Sequence, residues 1–576
     1  MFKKSAWVVS VILIGLSTSV SLLYGQGDGL PTELKVMKTE LARNFEALKK
    51  QSVPPYYLSY SLDRVRTQRV SASFGALSEK TEDTTAYLRI GLRVGSCQLD
   101  NSHELRGDPY ARYRSYYSGF KSAPLHEAPQ ALSVLLWQET DRSYKDAVEM
   151  LAKIKTERNL KAAEEDQSDD FSVSAPNASV EKPLAVEVDL DRWAAQVRKF
   201  SAPFQKGPHI LSGYASFQSE VRNKYFVDTD GSVILTPVNY MRLSIRATTK
   251  AEDGMELPLY LSYFGYQEAD LPPEGKVLAD IDRLIATLEQ LRTAPLVDPF
   301  MGPALLSGRS SGVFFHEILG HRLEGHRQKS EEEGQTFKKK VGEKILPEFI
   351  SVTFDPTRRD YQGLVLSGYY RFDDEGTKAE RVGVIENGVL KGFLMSRSPI
   401  AGFPRSNGHA RCQPGITPVS RQSNLIVGST RVLSEAKLRE RMIAECRRQN
   451  KPFGLLFKEI EGGFTMTGRE VPNAFTVLPL LVYKVYADGR PDEVVRGVDL
   501  IGTPLTTFSK IVATGSEVEA FNGTCGAESG GVPVSAVSPS ILVSQIEVQK
   551  KAKSQEKPPI LPPPGPDKSP EKGGQP

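Results

Sequence analysis

Beyond Pro295 the chain offers a succession of strand-like runs, Ile350 to Phe354, Gly363 to Leu366, Ala474 to Tyr486 and Ile541 to Val548, without the strand-helix alternation of a parallel βαβ sheet. This pattern excludes doubly wound architectures for that half and predicts an α+β protein with a β-rich C-terminal domain. The N-terminal half is mixed. Leu34, Val36, Met37, Leu41, Phe45 and Leu48 give Thr32 to Lys50 one apolar helical face, Tyr87 to Val94 alternates as a half-buried strand, and Tyr144 to Ala163 is again amphipathic. Glu164 to Asp170, acidic around Ser168, reads as a loop or linker. Mostly strand follows from Ile210 to Tyr266, with a hairpin turn at Asp228-Thr229-Asp230-Gly231. Val277, Leu278, Ile281, Leu284, Ile285, Leu288 and Leu291 then predict a helix over Gly275 to Arg292, ended by Pro295.

At 576 residues the chain has room for about two to four domains. The reading is a leader over 1–25, an N-terminal α+β domain over 30–295, a β-rich domain over 296–549 and a disordered, Pro-rich tail over 550–576. Lys3 and Lys4 followed by an uncharged apolar run to Gly25 follow the order of a secretory signal, which predicts an extracytoplasmic protein, periplasmic or secreted. The cleavage end is poor, so an uncleaved N-terminal anchor is the alternative; no other membrane association is expected. Cys97, Cys412, Cys446 and Cys525 are far apart, and no disulfide framework can be read from them. Lys plus Arg total 73 against 70 acids, so no nucleic-acid footprint is present.

Chemistry concentrates in Phe314-Phe315-His316-Glu317-Ile318-Leu319-Gly320-His321-Arg322-Leu323-Glu324-Gly325-His326, which holds three of the seven histidines. Imidazoles and carboxylates bind Zn²⁺, and a His-Glu pair with a second His supplies two ligands and a base for zinc-bound water. His316 and His321 are five apart, about 140° round a regular helix, too far to share one ion. A local i→i+5 turn at Gly320 would bring them together. A regular helix would instead align Glu317, His321 and Glu324 as a more oxygen-rich ligand set. The bland alternative is an amphipathic helix whose Phe314, Phe315, Ile318, Leu319 and Leu323 simply face the core.

This stretch resembles the TldD/PmbA family of zinc metallopeptidases, whose motif is His-Glu-x-x-x-His. The match is carried by His316, Glu317 and His321, by Gly302-Pro303-Ala304-Leu305-Leu306 and by Leu323-Glu324-Gly325. Near the C-terminus it is carried by Asn522-Gly523-Thr524-Cys525-Gly526 with Gly530-Gly531-Val532-Pro533-Val534. Ser406 to Arg411 and Arg421 to Asn424 also look similar. The resemblance implies a mixed N-terminal and a β-rich C-terminal domain, Zn²⁺ held by His316, His321 and Cys525, and Glu317 as general base in hydrolysis of short or unfolded peptides. It further implies a homodimer, or a heterodimer with a homologous subunit. His326 departs from the Asp that family members commonly carry there.

Bland roles for Cys525 are disulfide pairing or burial. His326, His409 and Arg421 are candidates for stabilising an oxyanion. Lys329 to Lys340 reads as a solvated loop or a gate, and Lys437 to Arg448 as a helix with a solvated basic face. A non-catalytic peptide-binding or partner subunit is the functional alternative, and a structural metal protein a third; the intact His316, Glu317, His321 and Cys525 argue against decay of a catalytic site.

Overall fold

Period-two alternation decides the first half. In β1 (Pro55–Ser73), Leu58, Tyr60, Leu62, Val70 and Ala72 are buried on one face, while Ser59, Ser61 and Asp63 occupy the other. The computed structural model describes residues 29–105, 121–124, 128–160, 165–469, 475–551 and 561; the leader and nearly all of the predicted tail lie outside these residues. β1 pairs antiparallel with β2 (Ala76–Val94) and β3 (Ser212–Asp228), β3 pairs with β4 (Val233–Lys250), and β4 with β5 (Glu256–Gly265). Short strands Lys121–Ser122 and Ala178–Val180 complete this seven-stranded sheet. Gly231, with φ of +104°, turns β3 into β4 as the Asp-Gly signal predicts.

Helices α1 (Thr32–Leu48), α2 (Pro129–Leu160), α3 (Leu190–Ser201) and α4 (Glu274–Thr293) pack against this half's apolar cores. α2 begins well before the predicted Tyr144, because Leu132 and Leu136 are buried in the same core as Leu151. The opposite, polar face of the sheet looks towards the second half. Arg89 donates to the Asp374 carbonyl at 2.5 Å, Lys224 Nζ lies 2.9 Å from Asp374 Oδ1, and Arg242 Nη1 donates to the Asn522 carbonyl at 3.0 Å.

The second half is built on a twelve-stranded sheet. Its principal strands are β6 (Phe300–Leu306), β7 (Ile350–Phe354), β8 (Asn424–Ser429), β9 (Phe453–Thr465), β10 (Phe475–Tyr486), β11 (Val498–Gly502), β12 (Ile511–Ala527) and β13 (Gly530–Lys550). β13, β11, β10, β9 and β6 form a closed circuit, since β6 pairs with β9 on one side and β13 on the other. The architecture is therefore α+β, mixed first and sheet-rich afterwards.

Two further expectations change in detail. The run Gly363–Leu366 reduces to Leu364–Val365 paired with Asp360–Tyr361, because Gln362 (φ 51°) and Gly363 (φ 82°) form the turn between them. The described part of the acidic stretch is an anchored loop rather than a free linker: Asp166 accepts from the Ala401 amide at 3.0 Å, and Asp170 lies 2.7 Å from His103 Nδ1 and 3.4 Å from Lys329 Nζ. The predicted basic helix is present as α6 (Glu435–Arg448), with Leu438, Met442 and Cys446 buried and its charges outward. No helix among the described residues is long and apolar enough to cross a membrane.

Candidate metal centre

β6 runs directly into α5 (Gly308–Ile318), whose first turn is capped by the Ser307 side chain accepting from the Ser310 amide. α5 is buried almost throughout and lies across β9, β12 and β13. Gly312 makes that approach feasible, since a β-carbon there would stand 2.7 Å from the Ala536 carbonyl oxygen. Phe314, Phe315, Ile318, Leu319 and Leu323 are fully buried, worth about 1.5–3 kcal/mol apiece. The apolar pattern thus nails the His-Glu segment to the sheet.

The i→i+5 bulge anticipated at Gly320 is absent, and so is the continuous helix. α5 ends at Ile318, and Gly320–Leu323 form a tighter 3₁₀ turn that carries His321. The wide angle expected between His316 and His321 on one helix therefore does not apply; their rings lie 5.1 Å apart, edge to face. Gly320 is needed for packing at this break, since a side chain there would overlap the Gln422 amide, whose Nε2 donates to the His316 carbonyl at 3.2 Å.

β12 brings in the third group. Cys525 Sγ lies 3.5 Å from His321 Nε2, and one donor atom each from His316, His321 and Cys525 fall within 4.8 Å of one another, all three residues buried. All four cysteines are free, so the disulfide alternative for Cys525 is not realised. Burial pushes the Cys525 thiol up, but the charges of His321, Arg421 and His316 outweigh it and hold the thiol well below its ordinary range. Burial likewise pushes His321 down, and Cys525 and Glu324 more than reverse it. Thiolate and imidazole donors suit zinc rather than magnesium or calcium.

The alternative face of Glu317, His321 and Glu324 is not assembled as a ligand set, because Glu324 is committed elsewhere. Its Oε2 lies 3.2 Å from His321 Nδ1 and 2.9 Å from Arg327 Nε, and its Oε1 lies 3.4 Å from Arg421 Nε. A carboxylate on Nδ1 holds the ring with Nε2 towards Cys525, the second contact typical of metal-binding histidines. Despite burial, His321 and the two arginines hold the Glu324 carboxyl down at about 2. The residues present therefore fit a zinc ion: three convergent buried donors, one of them already oriented. Glu317 lies beside them, with Oε2 4.0 Å from His321 Nε2, and its segment is held by Arg322 donating to the Glu317 and Ile318 carbonyls at 3.2 and 3.1 Å.

The three oxyanion candidates are engaged in the protein's own bonds. His326 Nε2 pairs with Glu528, which also holds Arg327 Nη2 at 2.7 Å. Arg421 donates to the carbonyls of Cys525 (2.6 Å) and Gly530 (3.0 Å) and to Ser529 Oγ (2.7 Å), bracing the strand end that presents Cys525. His409 is fully buried, bonded to Asn407 and Ser423. The loop after the motif is not simply solvated: Glu333 binds Arg327 at 2.9 Å, and Phe337 is buried.

Burial pushes the His409 imidazole down to about 3, against 6.5 for an exposed one. The unfolded chain takes up this proton first, so the associated stability is complete above pH 6.5 and is lost as pH falls towards 3, by up to ~1.4 kcal/mol per unit. Urea unfolding between about pH 7 and about pH 5 should show a shallower loss for His409→Gln than for the parent. Equal slopes in the two proteins would refute the assignment.

The donor corner opens into a cleft of about 680 Å³ between the halves. Tyr214, Arg242, Arg246, Tyr260 and Ser262 come to it from the first sheet, and Arg309, Glu317 and the segments Glu461–Thr467 and Phe521–Glu528 from the second half. The first-sheet contributors and the role of Glu324 are not among the features expected from the sequence. A signal existed in Met241 to Ala247, where Arg242, Ser244 and Arg246 interrupt an apolar run at every second position.

Residues 301–550 match the family described as the PmbA/TldA metallopeptidase C-terminal domain. A metalloprotease of Archaeoglobus fulgidus is 31% identical over 233 residues, 40% of this chain and 49% of that protein. A zinc metalloprotease TldD homolog of Saccharolobus solfataricus is 25% identical over 370 residues, 62% of this chain and 75% of its own length. The chain spans about half the length of several of the curated relatives it matches. TldE from Thermococcus kodakarensis shares the fold, with a TM-score of 0.59 at 14% identity over 89% of this chain and all of that one.

Proposed function

We propose, on the premise that this chain belongs to the TldD/PmbA metallopeptidase family, that it is a zinc-dependent peptidase with His316, His321 and Cys525 as ligands and Glu317 as general base. The observation that carries the reading is the meeting of the three donor atoms within 4.8 Å at the end of a cleft. Zinc bound there supplies a Lewis acid that makes water nucleophilic near neutral pH and polarises the peptide carbonyl. Glu317 takes the proton from the attacking water at its carboxylate and returns it to the leaving amine nitrogen. Glu324 keeps His321 Nδ1 protonated and Nε2 free to donate, and Arg421 fixes the backbone at Cys525.

The cleft volume suits an extended segment of a short or unfolded peptide rather than a folded protein. We extend the proposal to assembly as a homodimer or with a homologous subunit, and, from the leader, to work outside the cytoplasm. Sedimentation analysis and N-terminal sequencing of the exported protein test these two points.

Zinc analysis of protein purified without chelator tests the centre itself. The parent should carry about one zinc per chain, the number a single three-donor site holds, and Cys525→Ser should lose most of it. A well-folded parent that takes up no zinc when offered it would defeat the reading.

A further inference from the structure

Four arginines line the cleft, and three of them have acidic partners. Arg246 Nη2 lies 3.2 Å from Glu461, Arg309 Nε lies 3.3 Å from Glu459, and Arg327 is held by Glu324, Glu333 and Glu528. Arg242 is the exception among the described residues. Its bonds go to Ser262 Oγ at 2.7 Å and the Asn522 carbonyl at 3.0 Å, both from Nη1, while its guanidinium stands 5.5 Å from the Phe264 ring. Among the described residues, Nε and Nη2 of the fork have no hydrogen-bond partner.

Strand geometry explains why this cation faces the cleft. On β4, Met241, Leu243 and Ile245 are buried in the core under the helices, so Arg242, Ser244 and Arg246 must emerge on the opposite face. Burial and the neighbouring Arg309 charge hold the Arg242 guanidinium below its ordinary range, as befits a cation short of a counter-charge. The bond to Asn522 ties it to β12 three residues before Cys525, which fixes the fork relative to the donor corner.

We propose that Arg242 captures a carboxylate of the bound peptide, either its C-terminal carboxylate or an Asp or Glu side chain, and so sets substrate preference and register. A guanidinium fork matches a carboxylate in geometry as well as charge. The inference deepens the peptidase reading and rests on its placement of the peptide in this cleft.

The test measures binding apart from hydrolysis. Fluorescence anisotropy on the metal-free full chain compares three labelled peptides: a neutral one with a free C-terminal carboxylate, its C-terminal amide, and the amide with one central Gln replaced by Glu. At least one carboxylate form should bind about ten-fold or more tightly than the neutral amide, with Arg242→Gln abolishing the difference and Arg242→Lys retaining part of it. Preference for the free acid assigns the C-terminal carboxylate, and preference for the Glu-bearing amide the side chain. Equal binding of all three peptides by the parent, or a difference that survives Arg242→Gln, overturns the proposal, and the parent comparison decides even if the variant misfolds. Incubation of the same peptides with the zinc-loaded parent separates the two readings. Carboxylate-dependent binding without cleavage upholds the Arg242 site and defeats the peptidase reading, whereas cleavage with no carboxylate preference does the reverse.

Discussion

Glu317→Gln should lower kcat/KM on a peptide substrate by about 10²–10⁴-fold while zinc stays bound. The amide keeps the shape of the side chain but cannot accept a proton from water. The three donor atoms belong to His316, His321 and Cys525, and the substitution removes none of them. The Glu317 backbone is held independently by Arg322 donating to its carbonyl at 3.2 Å, so the helix end should persist. Because the lost interaction belongs to the transition state, kcat should carry the loss with KM little changed. Steady-state kinetics alongside metal analysis decide the matter. Activity within about three-fold of the parent, a loss far below that of a missing general base, would move the proton-accepting role to another group in the cleft.

Glu324→Gln should have the largest effect on stability, about 3–5 kcal/mol, because the buried His321 and Arg421 lose the carboxylate they share, while Arg327 keeps Glu333 and Glu528. Glu324 is fully buried and serves His321, Arg327 and Arg421 together. The amide retains an acceptor for His321 Nδ1 but no charge. Zinc affinity should fall about 10–100-fold as well, since the ring that presents Nε2 loses its anchoring carboxylate. Urea unfolding of the metal-free protein reads the first effect and competition with a chromogenic chelator the second. A stability change below about 1 kcal/mol, the scale of an exposed pair, would show that water or rearrangement supplies the missing counter-charge.

Fold class was legible because its signals are local. Alternation over Tyr87 to Val94 in β2, the Asp-Gly turn between β3 and β4 and the three- to four-residue spacing of α4 each concern neighbours in the chain, and each is where the sequence places it. The start of α2 was not legible, since Leu132 and Leu136 are helical by virtue of a core they share with Leu58 and Leu88. Asp166 and Asp170 read as linker composition because nothing nearby shows that Ala401 and Lys329 will meet them.

By itself the sequence determined an α+β chain with a sheet-rich second half and a His-Glu-x-x-x-His segment driven inward by its own apolar residues. Resemblance named Cys525, but 204 positions separate it from His321, and only the antiparallel pairing of β12 with β13, against which α5 packs, brings the sulfur and the imidazole within 3.5 Å. Tertiary structure also decided that the helix ends at Ile318 rather than bulging, that Glu324 holds the His321 ring rather than joining the donor cluster, and that Arg242 reaches the cleft from the other half. The reason is common to all three. Hydrophobic periodicity is written into consecutive residues, whereas the partners of a buried charge are chosen by which strands lie side by side, and that depends on the whole sheet.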